Sequence, residues 1–335
     1  MNRREVKRIA IVGFGSIGRQ HLRILKKIRP NIEVILVRSG IGNYYPEEVL
    51  AKTSVSSIEE VLKMKLDGAI ISSPAPFHIP QATKFLAEGI PLLIEKPISN
   101  NLTGIKDFKA LAKNKQVPIL VGFVLRYSKS LCFFNEMLLS GRAGKLTSAN
   151  IKCSSYLPSW RPNLDYRISV SAKKDLGGGV LHELSHELDY ANWIFGPFLS
   201  IKALIGNSGK LDIDVEDEAD LKLLSSQSLP ISIHLSFCRQ EIIRRCIIQA
   251  SEGTLVWDGV KNIVSWKPNQ KKIERWSFND KRDLLLERQL NHFFGCIEQN
   301  DVPLVSLNDG ISALNLVMAS KQSYLQQKIV KIQNK

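Results

Sequence analysis

The sequence predicts an α/β protein in which a doubly wound parallel sheet is followed by an α+β part with a mostly antiparallel sheet. Short apolar runs alternate with helix-period stretches over the first 124 residues, the pattern of a parallel sheet covered by helices. A glycine-rich turn directly follows the first apolar run. Beyond residue 124, strand-length segments follow one another without helices between them, as in an antiparallel sheet with one covered face. With 44% apolar and 23% charged residues, the composition excludes disordered and fibrous classes.

The first part contains apolar runs of strand length, separated by stretches with helical periodicity. The predicted strands are 9–12, 33–37, 68–73, 91–95 and 119–123. The predicted helices are 16–28, 57–64, 77–88 and 103–113. Ser57 and Glu60 form a capping box that begins the second helix, and Gly89 is the expected C-terminal cap of the third. Right-handed strand–helix–strand units of this length build a doubly wound sheet.

The second part carries alternating strand segments together with further helical stretches. The predicted strands are 148–154, 231–237 and 242–250. The predicted helices are 130–140, 179–194, 283–299 and 308–327. We therefore expect two domains, residues 1–124 and 125–335. Whether the last helix packs back on the first domain stays open.

Charge, cysteine and apolar patterns exclude several classes of protein. The net charge is +14, but much of it lies in the first thirty residues without interleaved aromatic side chains, which argues against nucleic-acid binding. The five cysteines never form a C-x-x-C pair, so neither a disulfide framework nor a thiolate zinc site is expected. The first apolar run is too short for a signal peptide, and no stretch of about 18 apolar residues could span a membrane. We expect a cytoplasmic protein with reduced thiols and with neither a nucleic-acid nor a membrane partner.

Three glycines with the spacing G-x-G-x-x-G lie between the first predicted strand and the first helix. Gly13 permits the tight turn, Gly15 lets the backbone approach a pyrophosphate, and Gly18 brings helix and strand close together. Ser16 and Ile17 begin the helix, and free N–H groups at a helix N-terminus bind anions. The sequence therefore predicts a dinucleotide site at this turn. The alternative is a structural turn without a ligand.

The end of the second predicted strand indicates which dinucleotide is bound. NAD-binding proteins place an acidic residue there for the ribose 2′-hydroxyl. This chain instead has Arg38 and Ser39, a guanidinium and a hydroxyl that suit a 2′-phosphate. NADP is therefore favoured over NAD as the cofactor. The alternative is that Arg38 stacks on the adenine ring or faces solvent.

The tripeptide Glu95-Lys96-Pro97 ends a buried strand at the sheet edge where ligands of open α/β sheets bind. Pro97 keeps the two preceding residues extended, which projects the Lys96 ammonium into the crevice. An ammonium there can stabilise charge that develops on a substrate oxygen during hydride transfer. We therefore expect Lys96 to be catalytic and Glu95 to lie at the cofactor. A surface charge is the alternative.

Six short motifs resemble those of the Gfo/Idh/MocA oxidoreductases in order and spacing. They are Gly13-x-Gly15-x-x-Gly18, Ser73-Pro74-x-x-x-His78, Glu95-Lys96-Pro97, Gly122-Phe123-x-x-Arg126-Tyr127, Gly141-Arg142-x-Gly144-Lys145 and Gly177-Gly178-Gly179-Val180. The resemblance implies a Rossmann domain, then a domain with a large open sheet, and hydride transfer at a sugar or polyol carbon. It implies that Lys96 touches substrate and nicotinamide, and that Ser73, Pro74 and His78 lie at the cofactor. It also implies a homo-oligomer, a dimer or tetramer, formed through the second sheet.

In that family, the glycine-rich segment beginning at Gly177 leads into a helix that carries an acid and a histidine. Many members have Asp followed four residues later by His, whereas this chain has Glu183 followed three residues later by His186. Residues three apart share one face of a continuous helix. His186 is therefore expected to accept a proton and Glu183 to orient it. His182 is expected to contact substrate, and it stays open which of the two histidines accepts the proton.

A second stretch resembles family members associated with bacterial surface sugars of the sialic and legionaminic acid type. It comprises residues 155–162, 165–167 and 186–190. Its arginines suit a carboxylate or phosphate, and its aromatic rings suit stacking on a sugar or nucleobase. We expect substrate contacts from Arg126, Tyr156, Trp160, Arg161, Tyr166 and Arg167. The alternative is a loop folded over the sheet with Trp160 as its anchor.

The pattern His182-Glu183-x-x-His186 also occurs in zinc hydrolases, but a third ligand is missing, so no metal is expected. The sequence therefore predicts an NAD(P)-dependent dehydrogenase or reductase acting on CH-OH groups. Its substrate would be a sugar, a sugar acid or a nucleotide-linked sugar. The alternatives are a dinucleotide-binding regulator without turnover and the zinc hydrolase. The identity of the sugar, the direction of the reaction and the size of the oligomer stay open.

Overall fold

The computed structural model of the chain describes residues 5–40 and 44–332, which separate into two units. The first unit combines Met1–Val124 with Lys281–Ile311, and the second combines Leu125–Asp280 with Ser312–Lys335. The chain passes from the first unit to the second after Val124, which is the expected boundary. It then returns to the first unit at Lys281 and enters the second again at Ser312, and neither of these changes is expected from the sequence. Within the described residues, no helix combines the length and the apolar character needed to cross a bilayer.

The first sheet is parallel throughout the described residues. Its strands are β1 (Arg8–Val12), β2 (Glu33–Val37), β3 (Thr53–Val55), β4 (Gly68–Ile71), β5 (Leu92–Ile94) and β6 (Ile119–Val121). They lie in the order β3-β2-β1-β4-β5-β6, so the predicted doubly wound arrangement is confirmed. β3 is not predicted from the sequence, because it is three residues long and of these only Val55 is buried.

Helices connect these strands close to the predicted positions. They are α1 (Ser16–Ile28), α2 (Ile58–Leu62), α3 (His78–Ala87) and α4 (Ile105–Lys115). Ser57 begins α2 as predicted, because its side-chain oxygen accepts a hydrogen bond from the Glu60 N–H at 3.2 Å. Gly89 follows α3 with φ +68°, the left-handed conformation of a C-terminal cap.

The second unit is built on one large, mostly antiparallel sheet, as the sequence predicts. Its helices are α5 (Lys129–Leu139), α6 (Val180–Glu183) and α7 (His186–Phe195). Its strands are β7 (Leu146–Tyr156), β8 (Phe198–Gly206), β9 (Glu218–Ser225), β10 (Pro230–Ser236), β11 (Cys238–Ala250), β12 (Gly253–Asp258), β13 (Ile263–Pro268), β14 (Glu274–Ser277) and β15 (Val330–Lys331). The strand order is β14-β13-β12-β11-β7-β10-β9-β8-β15, in which β7 and β10 run parallel and the other described neighbours run antiparallel. Along β10, Ile231 and Ile233 are buried while Ser232 is exposed, so one face of the sheet is covered.

The chain returns to the first unit with α8 (Arg282–Glu298), before the last helix, α9 (Leu307–Gln326). Leu290 and Phe293 of α8 lie in the same buried apolar core as Ile9 of β1. This helix covers apolar side chains of the first sheet that would otherwise meet water. The expected assignment of residues 281–311 to the second domain therefore differs from the structure.

Candidate functional site

The glycine turn between β1 and α1 is closely packed at its first and last glycine. Gly13 has φ +86°, and a Cβ built there would lie 2.6 Å from the backbone nitrogen of Ser73. A Cβ built at Gly18 would lie 2.4 Å from the Gly13 carbonyl oxygen. The Ser72 hydroxyl is 2.8 Å from the same carbonyl oxygen and can donate a hydrogen bond to it. The turn is therefore a fixed structure that requires glycine at both positions.

The middle of the same turn is open. Gly15 is exposed at the N-terminus of α1, and a Cβ built there meets no described heavy atom within 4 Å. The first N–H groups of a helix lack partners within the helix, here those of Ser16, Ile17 and Gly18. A pyrophosphate suits this position, because the N–H donors and the helix dipole favour an anion. The residues of the turn therefore fit a dinucleotide, with a space over Gly15 that a side chain would fill.

Two glycine substitutions are expected to separate folding from dinucleotide binding. Gly15→Ala should leave the melting temperature unchanged, because its φ is −75° and the added methyl group meets open space. It should weaken NADH binding by about tenfold or more, since the methyl group occupies that space. Gly18→Ala should lower the melting temperature, because its methyl group would lie 2.4 Å from a backbone oxygen. Thermal unfolding and calorimetric titration measure the two effects, and wild-type NADH affinity in Gly15→Ala would contradict the assignment.

Folding brings a carboxylate to the end of β2. Arg38 follows this strand as predicted, but its Nη1 lies 2.5 Å from Oε1 of Glu48. Glu48 belongs to a 3₁₀ helix, Pro46–Leu50, ten residues further along the chain. Ser39 is exposed beside this pair. The expected preference for NADP rests on the lack of an acid at this position and on the suitability of Arg38 and Ser39 for a 2′-phosphate. The structure removes the first reason, because Glu48 supplies the acid, and it pairs Arg38 with that carboxylate.

His78 joins the loops that follow β4 and β5. Its ring is buried, with Nε2 2.6 Å from the Ser73 carbonyl oxygen and Nδ1 2.8 Å from the Pro97 carbonyl oxygen. Burial lowers the pKa of His78, while the two carbonyl groups oppose that shift. Ser73 and Pro74 are half-buried in the first of these loops. His78 thus lies inside the first unit as a bridge between two loops at the carboxyl edge of the sheet.

Glu95 is buried at the end of β5 and pairs with His21 of α1. Its Oε1 lies 2.7 Å from His21 Nε2, and its Oε2 accepts a hydrogen bond from the Lys96 backbone N–H at 3.2 Å. Burial alone would raise the pKa of Glu95, but the hydrogen bond and charge of His21 and the charge of Lys96 hold this pKa below its usual value. A Cβ at Gly122 would lie 2.7 Å from the same carboxylate. Glu95 therefore positions the backbone of Lys96, whose side chain is half-buried, and does not occupy an open cofactor surface.

The expected helix over residues 179–194 is wrong, because two helices, α6 and α7, replace it. The chain turns at 184–185, where a backbone hydrogen bond of 3.1 Å spans three residues instead of four. Glu183 ends α6 and His186 begins α7. Glu183 and His186 therefore do not lie on one continuous helix. The same interruption separates His182 from His186.

The two histidines differ in how deeply they are buried. His182 is 2% exposed, and its Nδ1 lies 3.2 Å from the Gly178 carbonyl oxygen. His186 and Glu183 are half-buried, so His186 is the histidine that a substrate reaches more readily. The part of the chain that the structure describes holds no group of three or more His, Cys, Asp or Glu side chains arranged for a metal. A zinc site built on both histidines also lacks the continuous helix that would align them.

Trp160 anchors the segment that follows β7. Its indole N–H donates to the Ser155 hydroxyl at 2.9 Å, and its ring packs edge-on against Phe237 with centroids 5.3 Å apart. These contacts match the alternative in which Trp160 fixes a loop over the sheet. The indole N–H therefore donates its hydrogen bond within the protein.

The remaining residues expected to bind substrate in this segment differ in their surroundings. Arg167 pairs with Asp165, with Nη2 and Oδ2 2.8 Å apart, and the Tyr166 hydroxyl accepts a hydrogen bond from the Asp212 N–H at 3.2 Å. Arg161 is exposed, and Tyr156 is half-buried at the end of β7. Trp160, Tyr166 and Arg167 thus use polar groups in contacts within the protein. Arg161 and Tyr156 are therefore the better candidates of this segment for contact with a ligand.

Arg126 is buried within the second unit. Its Nε and Nη2 donate to Oδ2 and Oδ1 of Asp189 at 2.8 and 2.9 Å, and its guanidinium lies 4.7 Å from the ring centre of Trp193. The Arg126 and Asp189 side chains are 3% and 1% exposed. A bidentate pair of this kind orders the two groups strongly. The expected substrate contact of Arg126 is not supported by this geometry.

Two family profiles match the chain. The first, described as "Oxidoreductase family, NAD-binding Rossmann fold", matches residues 7–123. The second, described as "GFO/IDH/MocA C-terminal domain", matches residues 134–256. Together they span more than two thirds of the chain and include the first sheet and the strands β7 to β11 of the second.

Curated relatives match the chain at low identity. It is 24% identical to the myo-inositol 2-dehydrogenase of Thermotoga maritima, over 97% of this chain and 98% of that protein. It is 23% identical to the uncharacterized oxidoreductase sll0816 of Synechocystis sp., over 68% of this chain and 65% of that protein. Apart from the Thermotoga enzyme, the chain spans only about half to two thirds of the length of the first curated relatives.

Solved structures share the fold. The levoglucosan dehydrogenase in complex with NADH matches with a TM-score of 0.87 and 14% identity, over 98% of this chain and 99% of that chain. The WlbA dehydrogenase from Bordetella pertussis in complex with NADH and UDP-GlcNAcA matches with a TM-score of 0.83 and 18% identity, over 99% of both chains. The glycine turn, the two sheets and the two profiles lead to one conclusion: this chain belongs to the Gfo/Idh/MocA oxidoreductase family.

Proposed function

We propose that the chain is an NAD(P)-dependent oxidoreductase that moves a hydride between the nicotinamide and a carbinol carbon of a sugar-type substrate. The observation that carries this proposal is the glycine turn, which is fixed at Gly13 and Gly18 and open over Gly15. An open helix N-terminus suits the pyrophosphate of a dinucleotide. The family profile for the first unit supports the same assignment, because its description is that of NAD-binding oxidoreductases.

The proposed roles of the side chains follow from their chemistry. When bound, the nicotinamide supplies the acceptor or donor of the hydride. In the direction of oxidation, His186 accepts the proton of the substrate hydroxyl as a general base. Glu183 orients the His186 imidazole and selects its tautomer. Lys96 donates a hydrogen bond to the substrate oxygen on which charge develops. The buried pair of Glu95 and His21 holds the backbone of Lys96 in place.

The proposed substrate class is a sugar, a sugar acid or a nucleotide-linked sugar. Arg161 is exposed and Tyr156 is half-buried, and a guanidinium and an aromatic ring are the groups that suit an anionic sugar. The net charge of +14 also favours an anionic ligand. The WlbA dehydrogenase, which has the same fold, holds UDP-GlcNAcA. Sugar acids of the sialic and legionaminic type are among the candidate substrates, because residues 155–162 and 165–167 resemble those of family members associated with such sugars.

We also propose a homo-oligomer formed through the second sheet. Leu204 of β8 is 64% exposed between the buried Ala203 and Ile205, so it lies on the face opposite the core. Association of this face with another copy would remove Leu204 from water. Light scattering after gel filtration measures the mass, and a monomer at micromolar concentration would contradict the oligomer.

A screen in two steps tests the proposed function. Thermal unfolding with NADH and with NADPH reports binding, because a ligand stabilises the fold in proportion to its occupancy. The absorbance of the reduced nicotinamide is then followed with inositols, nucleotide sugars and sialic-type acids. We expect stabilisation of the wild type, less stabilisation of Gly15→Ala, and a change in absorbance with at least one sugar. Binding without turnover of any sugar would favour the regulator, and binding of neither dinucleotide would overturn the proposal.

A further inference from the structure

A short acidic 3₁₀ helix, Pro46–Leu50, lies beside the glycine turn. The Glu47 Oε1 is 3.5 Å from Arg19 Nη1, and the Glu48 Oε1 is 2.5 Å from Arg38 Nη1. Arg19 belongs to the first turn of α1, and Arg38 directly follows β2. Two cations beside the turn therefore each face a carboxylate from this helix.

The pair of Arg38 and Glu48 is the more buried of the two, with side chains 19% and 10% exposed. The Arg38 backbone is fixed, because its N–H donates to the Val55 carbonyl oxygen at 3.0 Å. Its guanidinium lies 5.9 Å from the ring centre of Phe14, within the glycine turn. Glu48 is fixed as well, because its Oε1 also accepts a hydrogen bond from the Tyr45 N–H at 2.9 Å. The Glu48 carboxylate is thus held by two contacts, one with Arg38 after β2 and one with the Tyr45 N–H before the 3₁₀ helix.

We propose that Glu48 makes the site select NAD(H) against NADP(H). This inference rests on the proposed function, since it needs a dinucleotide at the glycine turn. The end of β2 is where proteins of this architecture meet the adenine ribose. A carboxylate accepts a hydrogen bond from a ribose hydroxyl, whereas it repels a 2′-phosphate, which carries about two negative charges at neutral pH. Glu48 also engages Arg38, the cation that a 2′-phosphate would need.

Glu48 has a second, structural role that the test must preserve. Its Oε1 accepts the hydrogen bond of the Tyr45 N–H and thereby caps the start of the 3₁₀ helix. Glutamine can make the same contact, because its amide oxygen accepts a hydrogen bond. Glu48→Gln therefore removes the charge and keeps the cap.

Calorimetric titrations of the full chain with NADH and with NADPH test the inference through affinity alone. We expect the wild type to bind NADH about tenfold more tightly than NADPH, or better. In Glu48→Gln the ratio should move by about tenfold or more towards NADPH, because the repulsion is gone and Arg38 is released. Combining Glu48→Gln with Arg38→Ala should remove that gain, because the phosphate then has no guanidinium to meet.

Glu47→Gln is the matched control. It removes the same charge from the neighbouring residue and leaves the pair of Arg38 and Glu48 in place. Its ratio of the two affinities should stay within about twofold of the wild-type ratio. A wild type that prefers NADPH, or an unchanged ratio in Glu48→Gln, would overturn the inference and leave the proposed function standing. Binding of neither dinucleotide by the wild type would overturn both.

Discussion

His186→Ala is expected to lower the turnover of a sugar substrate identified by the screen by about 10²- to 10⁴-fold, the usual contribution of a general base. His186 begins α7 and is half-buried, whereas His182 is 2% exposed. The affinity for NADH should be unchanged, because the pyrophosphate is proposed to bind the N–H groups of the glycine turn, whereas His186 is proposed to act on the substrate hydroxyl. Steady-state kinetics and calorimetric titration measure the two quantities.

His182 provides the matched comparison for this loss. It is 2% exposed and its Nδ1 contacts the Gly178 carbonyl oxygen, so His182→Ala should lower the melting temperature by leaving a cavity. Its turnover, measured well below that melting temperature, should fall less than that of His186→Ala. Wild-type turnover in His186→Ala together with a large loss in folded His182→Ala would reverse the assignment of the two histidines.

Replacing His21 by leucine is expected to lower the free energy of unfolding by about 3–5 kcal/mol near neutral pH, the range for removing one partner of a buried ion pair. The His21 and Glu95 side chains are 0% and 8% exposed and 2.7 Å apart, so the remaining carboxylate would be buried without this partner. Urea denaturation measures the loss. His234→Leu is the control, because its partner Asp220 is 60% exposed and such a pair contributes about 1 kcal/mol or less.

The pH dependence of the same variant identifies Glu95 as the cause. In the wild type the pKa of Glu95 is below its usual value. The pair of Glu95 and His21 therefore stabilises the fold at pH values above about 4.3, the pKa of Glu in the unfolded chain, and this stabilisation is lost as the pH falls through the pKa of Glu95 in the folded protein. In His21→Leu, burial without the histidine should raise the pKa of Glu95, so its charge is costly near neutral pH. Lowering the pH to about 5 should then reduce the difference from the wild type. An equal difference at both pH values would indicate a packing effect only.

Local patterns in the sequence predict most of the first sheet. The limits of α1 and β2 agree with the structure, because a glycine turn and abrupt changes between apolar and polar residues bound them. The break between α6 and α7 is not predictable in this way, because the chain has neither glycine nor proline at 184–185. The return of α8 to the first unit depends on which apolar surfaces meet in three dimensions, and periodicity alone carries no such information.

The residue types of the candidate site are visible in the sequence, but their partners are not. His21 and Glu95 lie 74 positions apart, and Arg126 and Asp189 lie 63 apart, so only folding pairs them. Glu48 is just ten positions from Arg38, but it is not predicted, because the sequence rule expects the ribose-binding acid at the end of β2 itself. Two of these pairings change the role expected for a residue. Glu95 supports the backbone of Lys96, and Arg126 is part of a buried ion pair.

The order of strands in the second sheet bears on how this protein can diversify. The chain leaves the sheet after β7 and re-enters it at β8, with β10 and β9 lying between these two strands. β8 runs in the same direction as β7, because β10 is parallel to β7 and both β10 and β8 are antiparallel to β9. The connection must therefore also return along the length of the strands, a crossover that takes about a dozen residues or more. Residues 157–197, which include Arg161 and His186, form an excursion far longer than connectivity requires. Its extra length gives the chain room for side chains such as Arg161 and His186, while the hydrogen-bonded strands hold both of its ends.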